Sequence, residues 1–277
     1  MICFPNAKIN LGLHITEKRA DGFHNIETVF YPIGWKDALE TIENKTYRRG
    51  APRINLRVTG VKVGSSRNNL VVKAYQLLGA HYDLPPVKAH LHKVIPMGAG
   101  LGGGSADGAF LINLLNDKFA LDIPEEKRKE FASQLGSDCA FFIGGKPVFA
   151  SGRGDVFSPI KIDLGNYFMV VVYPGIHSNT ALAYKGVKPV KSEMPLQDVI
   201  AGGIDSWRHN LVNDFEKSIF SRFPELENIK EKFYRKGALY ASMSGSGSSM
   251  FAIFEQKRDI TEFDFPSDYL TWTSANS

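Results

Sequence analysis

Fifteen residues at positions 96 to 110, "PMGAGLGGGSADGAF", hold six glycines and then turn apolar. A stretch with so few side chains lets a ligand come close to main-chain amides, and a helix starting directly behind it aims its unpaired N–H groups at the same place. Two chemistries use such a loop: a dinucleotide-binding turn, and a phosphate loop that lacks the usual Walker lysine. Gly98, Gly100 and Gly103 satisfy G-x-G-x-x-G between a strand pattern and a helix pattern, which suits the first. A dinucleotide unit should then run into a second parallel strand with an acidic residue about 20 positions on. Here the chain passes through "LDIPEEKRKE" into another helical pattern instead. No G-x-x-x-x-G-K-[ST] occurs anywhere. What both readings share is a helix N-terminus facing an anion, worth only about 0.3–1 kcal/mol, or ~2 when sheltered, so a triphosphate needs the whole array of loop amides and cations besides.

The rest of the chain alternates strands and helices. Ile9, Leu11, Leu13 and Ile15 share one face of a period-2 strand, leaving Lys8, Asn10, Gly12 and His14 on the other. Asp21-Gly22 signals a hairpin turn, and "IETVFYPI" reads as the returning strand, so the opening is an antiparallel unit. His14 is expected to be partly buried and hydrogen-bonded. Residues 68–84 have helical spacing, "VKAHLHKVI" reads as a strand, and from Ser105 a helix buries Ala109, Phe110, Leu111, Leu114, Leu115 and Phe119. On that strand His90 and His92 alternate with the core positions and are expected to be exposed. A further helix runs from Pro124, with acidic residues in its first turn, to a stop at Gly136, and Asp138 lies just beyond. "YFMVVVYPG" reads as a strand opening a second domain, which places domains at 1–158 and 159–277. The polar, proline-bearing segment 185–205 suggests a surface excursion. "GALYASMSGSGSSMFAIF" gives two β runs joined by a Gly/Ser turn.

Composition narrows the class. At 277 residues, 43% hydrophobic and 22% charged, the chain is an ordinary globular one. A net charge of +4 suits small anionic ligands and lacks the clustered basic stripes of nucleic-acid binders. No stretch approaches the roughly 18 apolar residues of a membrane span. Cys3 and Cys139 are the only cysteines, too few for a disulfide framework or a zinc site, so a soluble protein of the reducing cytoplasm is expected, with both thiols as small buried hydrophobes.

Four ordered motifs carry a resemblance. "PMGAGLGGGSADGAF" resembles the second motif of the GHMP kinase superfamily, which takes in galactokinase, homoserine kinase and mevalonate kinase. "PNAKINLGLHITEKRADGFHNIETVF", "LGSDCAFFIGG" and "MSGSGSSMF" are similar to further motifs of the superfamily, in the same order. The resemblance implies an α+β protein of two domains: a ribosomal-protein-S5-like N-terminal domain and a GHMP C-terminal domain, with ATP and acceptor meeting in the cleft between them. The opening motif further implies ATP-dependent phosphorylation of the 2-hydroxyl of a cytidine diphosphate methylerythritol, a step of the non-mevalonate route to isoprenoids. Two alternatives stand beside it: another small alcohol such as homoserine or mevalonate, and, from a different class, a dinucleotide-binding oxidoreductase.

The resemblance also implies roles. Pro96, Met97, Gly98, Ala99, Gly100, Leu101, Gly102, Gly103, Gly104, Ser105 and Ala106 would hold the ATP phosphates, with Mg²⁺ expected alongside ATP and its protein ligands left open. Asn69 and Lys93 match positions that border the adenine. Asp138 matches the catalytic carboxylate and Lys8 its partner. Phe23, where the family usually has Tyr, and Tyr184 would sandwich the cytosine, His24 would hydrogen-bond its edge, and Asn10 would meet the diphosphate or the polyol. Asp107 suits the helix dipole but opposes a phosphate at the same end, so it is predicted to point away and cap or bridge. "MSGSGSSMF" is expected to brace the phosphate loop, a plain hairpin turn being the alternative.

Overall fold

The computed structural model describes residues 1–61, 68–190 and 194–274. The chain begins with strands β1 (Ile2–Cys3), β2 (Asn6–Lys18), β3 (His24–Lys36), β4 (Ala38–Glu43) and β5 (Ile54–Gly60). Helix α1 (Leu70–Gly79), strand β6 (Val87–Lys93) and helices α2 (Gly103–Lys118), α3 (Glu125–Leu135) and α4 (Phe141–Gly144) follow. Next come β7 (Val148–Ser151), β8 (Val156–Pro159), β9 (Phe168–Tyr173) and the helices α5 (Thr180–Lys185), α6 (Leu196–Ala201), α7 (Ile204–Asn210), α8 (Phe215–Phe220) and α9 (Pro224–Arg235). Strands β10 (Tyr240–Met243), β11 (Met250–Phe254) and β12 (Leu270–Thr273) close it. By its contacts the chain forms two units: Met1–Ala7, Gly34–Met97 and Gly102–Lys146 make the first, and Lys8–Ile33, Gly98–Leu101 and Pro147–Ser277 the second.

In the first unit the sheet order is β1-β4-β6-β5. β6 is antiparallel to β4 and parallel to β5, with α1 as the crossover between β5 and β6. Along β6 Val87, Ala89 and Leu91 are buried while Lys88, His90 and His92 are exposed, as period-2 alternation requires on a half-covered sheet. Helices α1 and α2 pack closely because position 108 is glycine: a Cβ there would stand 3.0 Å from Leu70 Cβ and 3.4 Å from Leu135 Cδ1. That fit offsets the roughly 0.5–1 kcal/mol that glycine costs inside a helix. α3 starts behind Pro124 with Glu125 and Glu126 in its first turn and stops at Gly136, as the sequence predicts. After the glycine loop come α2, α3 and α4, and the next strand, β7, pairs with β3 in a different sheet. Among the described residues no parallel strand follows the loop beside β6, whose neighbours are β4 and β5, and the dinucleotide-unit reading falls with it.

The second unit contains the antiparallel sheet β10-β11-β9-β12. Val170 and Val172 of β9, with Met250, Ala252 and Phe254 of β11, share a core with Phe215, Ile219, Leu226, Ile229 and Phe233 of α8 and α9. Apart from Ala252, burying each of these side chains contributes about 1.5–3 kcal/mol. The excursion expected over 185–205 needs correction. Residues 185–190 are exposed or half-buried and 191–193 lie outside the described residues, but Leu196, Val199 and Ile200 form the buried stripe of α6. Part of what α6 covers is β2: a Cβ on Gly12 would fall 2.6 Å from both Leu196 Cδ1 and Leu211 Cδ1. The polar face of β2 is therefore inside, with Lys8, Asn10 and His14 at 4%, 2% and 4% exposure. For His14 the expected hydrogen bond is absent, since neither ring nitrogen has a partner. Among the described residues no helix is long and apolar enough to cross a membrane.

Candidate active site

In the first unit the site is built around the start of α2. Its N-cap, Gly102, is left-handed at φ +71°, no side chain caps the helix, and its first turn holds no acidic residue. By helix geometry the N–H groups of Gly103, Gly104 and Ser105 have no partner within the helix, and Gly102, Gly104 and Ser105 are only half-buried. Pro96 is buried and Met97 exposed. This leaves an uncapped, partly open helix N-terminus, which is what an anion needs. Ser105 lies within hydrogen-bonding reach of the buried Cys139 thiol, whose pKa burial pushes up to about 11. Asp138, half-buried, immediately precedes Cys139 in the turn after α3, where Cys139 N–H donates to Gly136 O at 3.1 Å. Asn69 caps α1, its Oδ1 accepting from Val71 N–H at 2.9 Å.

Lys93 turns its side chain inward. Its side chain has no exposure, and Nζ donates to Asp37 Oδ2 and, at 2.8 Å, to Asp107 Oδ2. The bridging position predicted for Asp107 is observed. Burial pushes the Asp107 carboxyl from 3.8 up to about 7, against the pull of Lys93 and with the push of Asp37. The pKa of the Cys3 thiol of β1 is pushed up to about 12, chiefly by burial and secondarily by the charge of Asp107. A carboxyl whose folded pKa is raised binds protons more tightly folded than unfolded, so its contribution to stability is full on the acid side and is lost as pH rises from about 4 through about 7. Asp107→Asn keeps the shape without the titration. Thermal melts across this window should show the wild type losing Tm relative to Asp107→Asn as pH rises; parallel curves would refute the assignment.

In the second unit the middle of the loop is fixed by main-chain and hydroxyl contacts. Lys8 Nζ donates to Asn10 Oδ1 and to Gly100 O at 3.2 Å, lies 4.8 Å from the centre of the Phe30 ring, and Lys8 N–H donates to Leu101 O at 2.9 Å. Asn10 Nδ2 donates to Thr28 Oγ1 at 2.9 Å, so both ends of the amide are held. From the β10–β11 turn, Ser244 Oγ donates to Gly100 O at 2.8 Å and Ser249 N–H to Ala99 O at 3.1 Å. The Gly/Ser turn is thus a brace for the loop and not merely a hairpin connection. Ala99 and Leu101, each 1% exposed, pin the loop by their side chains, while Gly98 is exposed. Gly98 faces the His177 ring: a Cβ there would fall 2.9 Å from His177 Cε1.

The aromatic residues gather in the same unit. His24 stacks on Tyr184, with centroids 4.7 Å apart and planes at 19°, and Phe215 meets Tyr184 edge-on at 4.8 Å and 87°. Phe23, 56% exposed, has the Arg153 guanidinium 5.3 Å from its centroid, and Asp155 accepts from Arg153 Nη2 at 3.2 Å. Sequence reasoning named Phe23, His24 and Tyr184 but missed Arg153, His177 and Asp37. "GRGD" and "YPGIH" offered only turn chemistry as a signal, and Asp37 offered none. Among the described residues no group of three or more His, Cys, Asp or Glu side chains could hold a metal ion.

Comparison with known proteins supplies the remaining findings. The model of GHMP kinases N terminal domain matches residues 69–146, and that of GHMP kinases C terminal matches residues 196–263. A Bacteroides fragilis protein named 4-diphosphocytidyl-2-C-methyl-D-erythritol kinase is 50% identical over 271 residues, 97% of each chain. A crystal structure of 4-(cytidine 5'-diphospho)-2C-methyl-D-erythritol kinase superposes with a TM-score of 0.76 at 29% identity, covering 91% of this chain and 90% of that one. The mevalonate kinase of Methanococcus jannaschii, at TM-score 0.71 and 14% identity over 99% and 97% of the two chains, shares the fold.

Proposed function

Because the chain belongs to the 4-diphosphocytidyl-2-C-methyl-D-erythritol kinase family of the GHMP kinases, we propose that it transfers the γ-phosphoryl group of ATP to the 2-hydroxyl of 4-(cytidine 5'-diphospho)-2-C-methyl-D-erythritol. The observation that carries the kinase half is the uncapped N-terminus of α2 behind a glycine loop, an anion site made of main chain. The acceptor half rests on near-full-length likeness to proteins of that name and on the rings of Phe23, His24 and Tyr184.

Phosphoryl transfer passes through a loose transition state, so catalysis is mostly placement and charge compensation. Asp138 orients the acceptor hydroxyl and takes its proton. Lys8 supplies a compact positive charge, positioned by Asn10 and Gly100 O. Mg²⁺ carried in with ATP would neutralise phosphate charge, and no side chain is assigned to hold it. Phe23 and Tyr184 stack on cytosine, at about 1–3 kcal/mol per ring. His24, stacked on Tyr184, stands beside the proposed base site, where its ring nitrogens would hydrogen-bond the base edge. Initial rates with ATP and each candidate alcohol test the reading. Turnover is expected with the cytidine diphosphate methylerythritol and not with homoserine or mevalonate; turnover with homoserine or mevalonate instead would remove the cytidine assignment.

A further inference from the structure

Lys93, matched by resemblance to the adenine pocket, is turned inward, and its role there extends the ATP half of the reading above and rests on it. Asp37 precedes β4, Lys93 ends β6, and Asp107 lies in the second turn of α2. Asp37 uses both oxygens: Oδ1 accepts from Val94 N–H at 2.5 Å and Ile95 N–H at 2.9 Å, and Oδ2 accepts from Lys93 Nζ. Lys93 Nζ then reaches Asp107 Oδ2 at 2.8 Å. One carboxylate grips the chain running into the glycine stretch, the other grips the helix running out of it, and the ammonium joins them. A Cβ on Gly103 would stand 2.8 Å from Ile95 Cγ2 and 3.2 Å from Lys93 Nζ, so the first residue of α2 rests on the same strand end.

Stability is a poor reason for this arrangement. Buried charges lose solvation that their mutual attraction returns only in part, and apolar replacements are often neutral or stabilising by about 1–4 kcal/mol. Here two carboxylates share one ammonium, and Asp107 Oδ1 has no hydrogen-bond partner, so the cluster is not even fully satisfied. What it provides is direction: strand end and helix start are held by hydrogen bonds of set length, where apolar contacts could slide. Main-chain phosphate binding needs that, because each amide contributes little and the array must be held within about 0.5 Å.

We infer that Asp37, Lys93 and Asp107 are positioning residues for the nucleotide, a buried clasp that fixes residues 93–95 against the first turns of α2 so that the helix amides stand ready for the ATP phosphates. The test uses the full chain and calorimetric titration with two probes: the non-hydrolysable ATP analogue adenylyl imidodiphosphate with Mg²⁺, and adenosine, which has no phosphates. In Asp107→Ala the Kd of the analogue should rise about 10-fold or more while that of adenosine stays within about 3-fold. Asp107→Asn, which keeps an oxygen for Lys93, should rescue analogue binding to within about 3-fold of wild type. Unchanged analogue affinity in a folded Asp107→Ala, or equal weakening of both probes, overturns the inference. If Asp107→Ala does not fold, hydrogen exchange on the wild type decides: the hydrogen-bonded amides of Val94, Ile95 and Ala106–Gly108 should open together, and independent opening of the two flanks overturns it. Failure of the wild type to bind the analogue at all is a different result, which refutes the kinase reading itself.

Discussion

Asp138→Asn is expected to lower kcat by about 10²–10⁴-fold, the range for removing a general base, with the Kd for ATP within about 3-fold of wild type. The substitution is nearly isosteric and removes one charge. Asp138 is half-buried in the turn between α3 and α4, held by the neighbouring Cys139, which is fully buried and within hydrogen-bonding reach of Ser105 at the start of α2. Its backbone placement therefore depends on Cys139 and Gly136, and the Asn variant should keep it. Because proton transfer is late in a loose transition state, the loss should appear in kcat and not in nucleotide binding. Single-turnover rates, with ATP affinity measured separately, check this; wild-type turnover with ATP still bound would show that Asp138 is not the base.

What the sequence made legible was local, and what it hid was non-local. The first strand's alternation separated Lys8, Asn10, Gly12 and His14 from the apolar face, yet it could not show that this polar face is buried, because Leu196 and Leu211 that cover Gly12 come from far along the chain. The ends of α3 were readable because Pro124, Glu125, Glu126 and Gly136 act within one turn. Helices α5 to α8 have six or seven residues, too few for a 3.6-residue period to declare itself. α9 did carry a signal in Pro224, Glu225 and Glu227 at its start and Lys232 and Arg235 at its end, as did β5 in Ile54, Leu56 and Val58. At the site, repulsion between Asp107 and a phosphate was enough to predict that Asp107 points away to cap or bridge, and its bond to Lys93 is such a bridge. That Lys93 turns inward with it depends on Asp37, 56 residues away, and no local pattern records that partner.

Gly100→Ala should be the most damaging single substitution in the loop, destabilising the fold by about 3 kcal/mol or more. Gly100 sits at φ +79°, and a Cβ there would lie 1.9 Å from Ser244 O and 2.9 Å from Ser244 C, both main-chain atoms that cannot rotate away. Left-handed alanine costs about 1–2 kcal/mol, and an overpacked contact about 1–3 kcal/mol more. Relief by shifting the loop would break the bonds that Gly100 O accepts from Ser244 Oγ and Lys8 Nζ, and strain those of Ala99 O with Ser249 and Leu101 O with Lys8. Loss of both denaturation midpoint and activity is therefore expected. Gly104→Ala separates the two uses of glycine. Gly104 is helical, its nearest neighbour is the flexible end of Met97 at 3.2 Å, and in this first turn alanine gains up to about 1 kcal/mol of helix propensity. That variant should match or exceed the wild type in stability; if the phosphates approach the amides at the start of α2 as proposed, the added methyl group should also weaken ATP binding. If urea titration finds Gly100→Ala as stable as Gly104→Ala, the brace between the Gly/Ser turn and the loop does not carry the weight assigned to it.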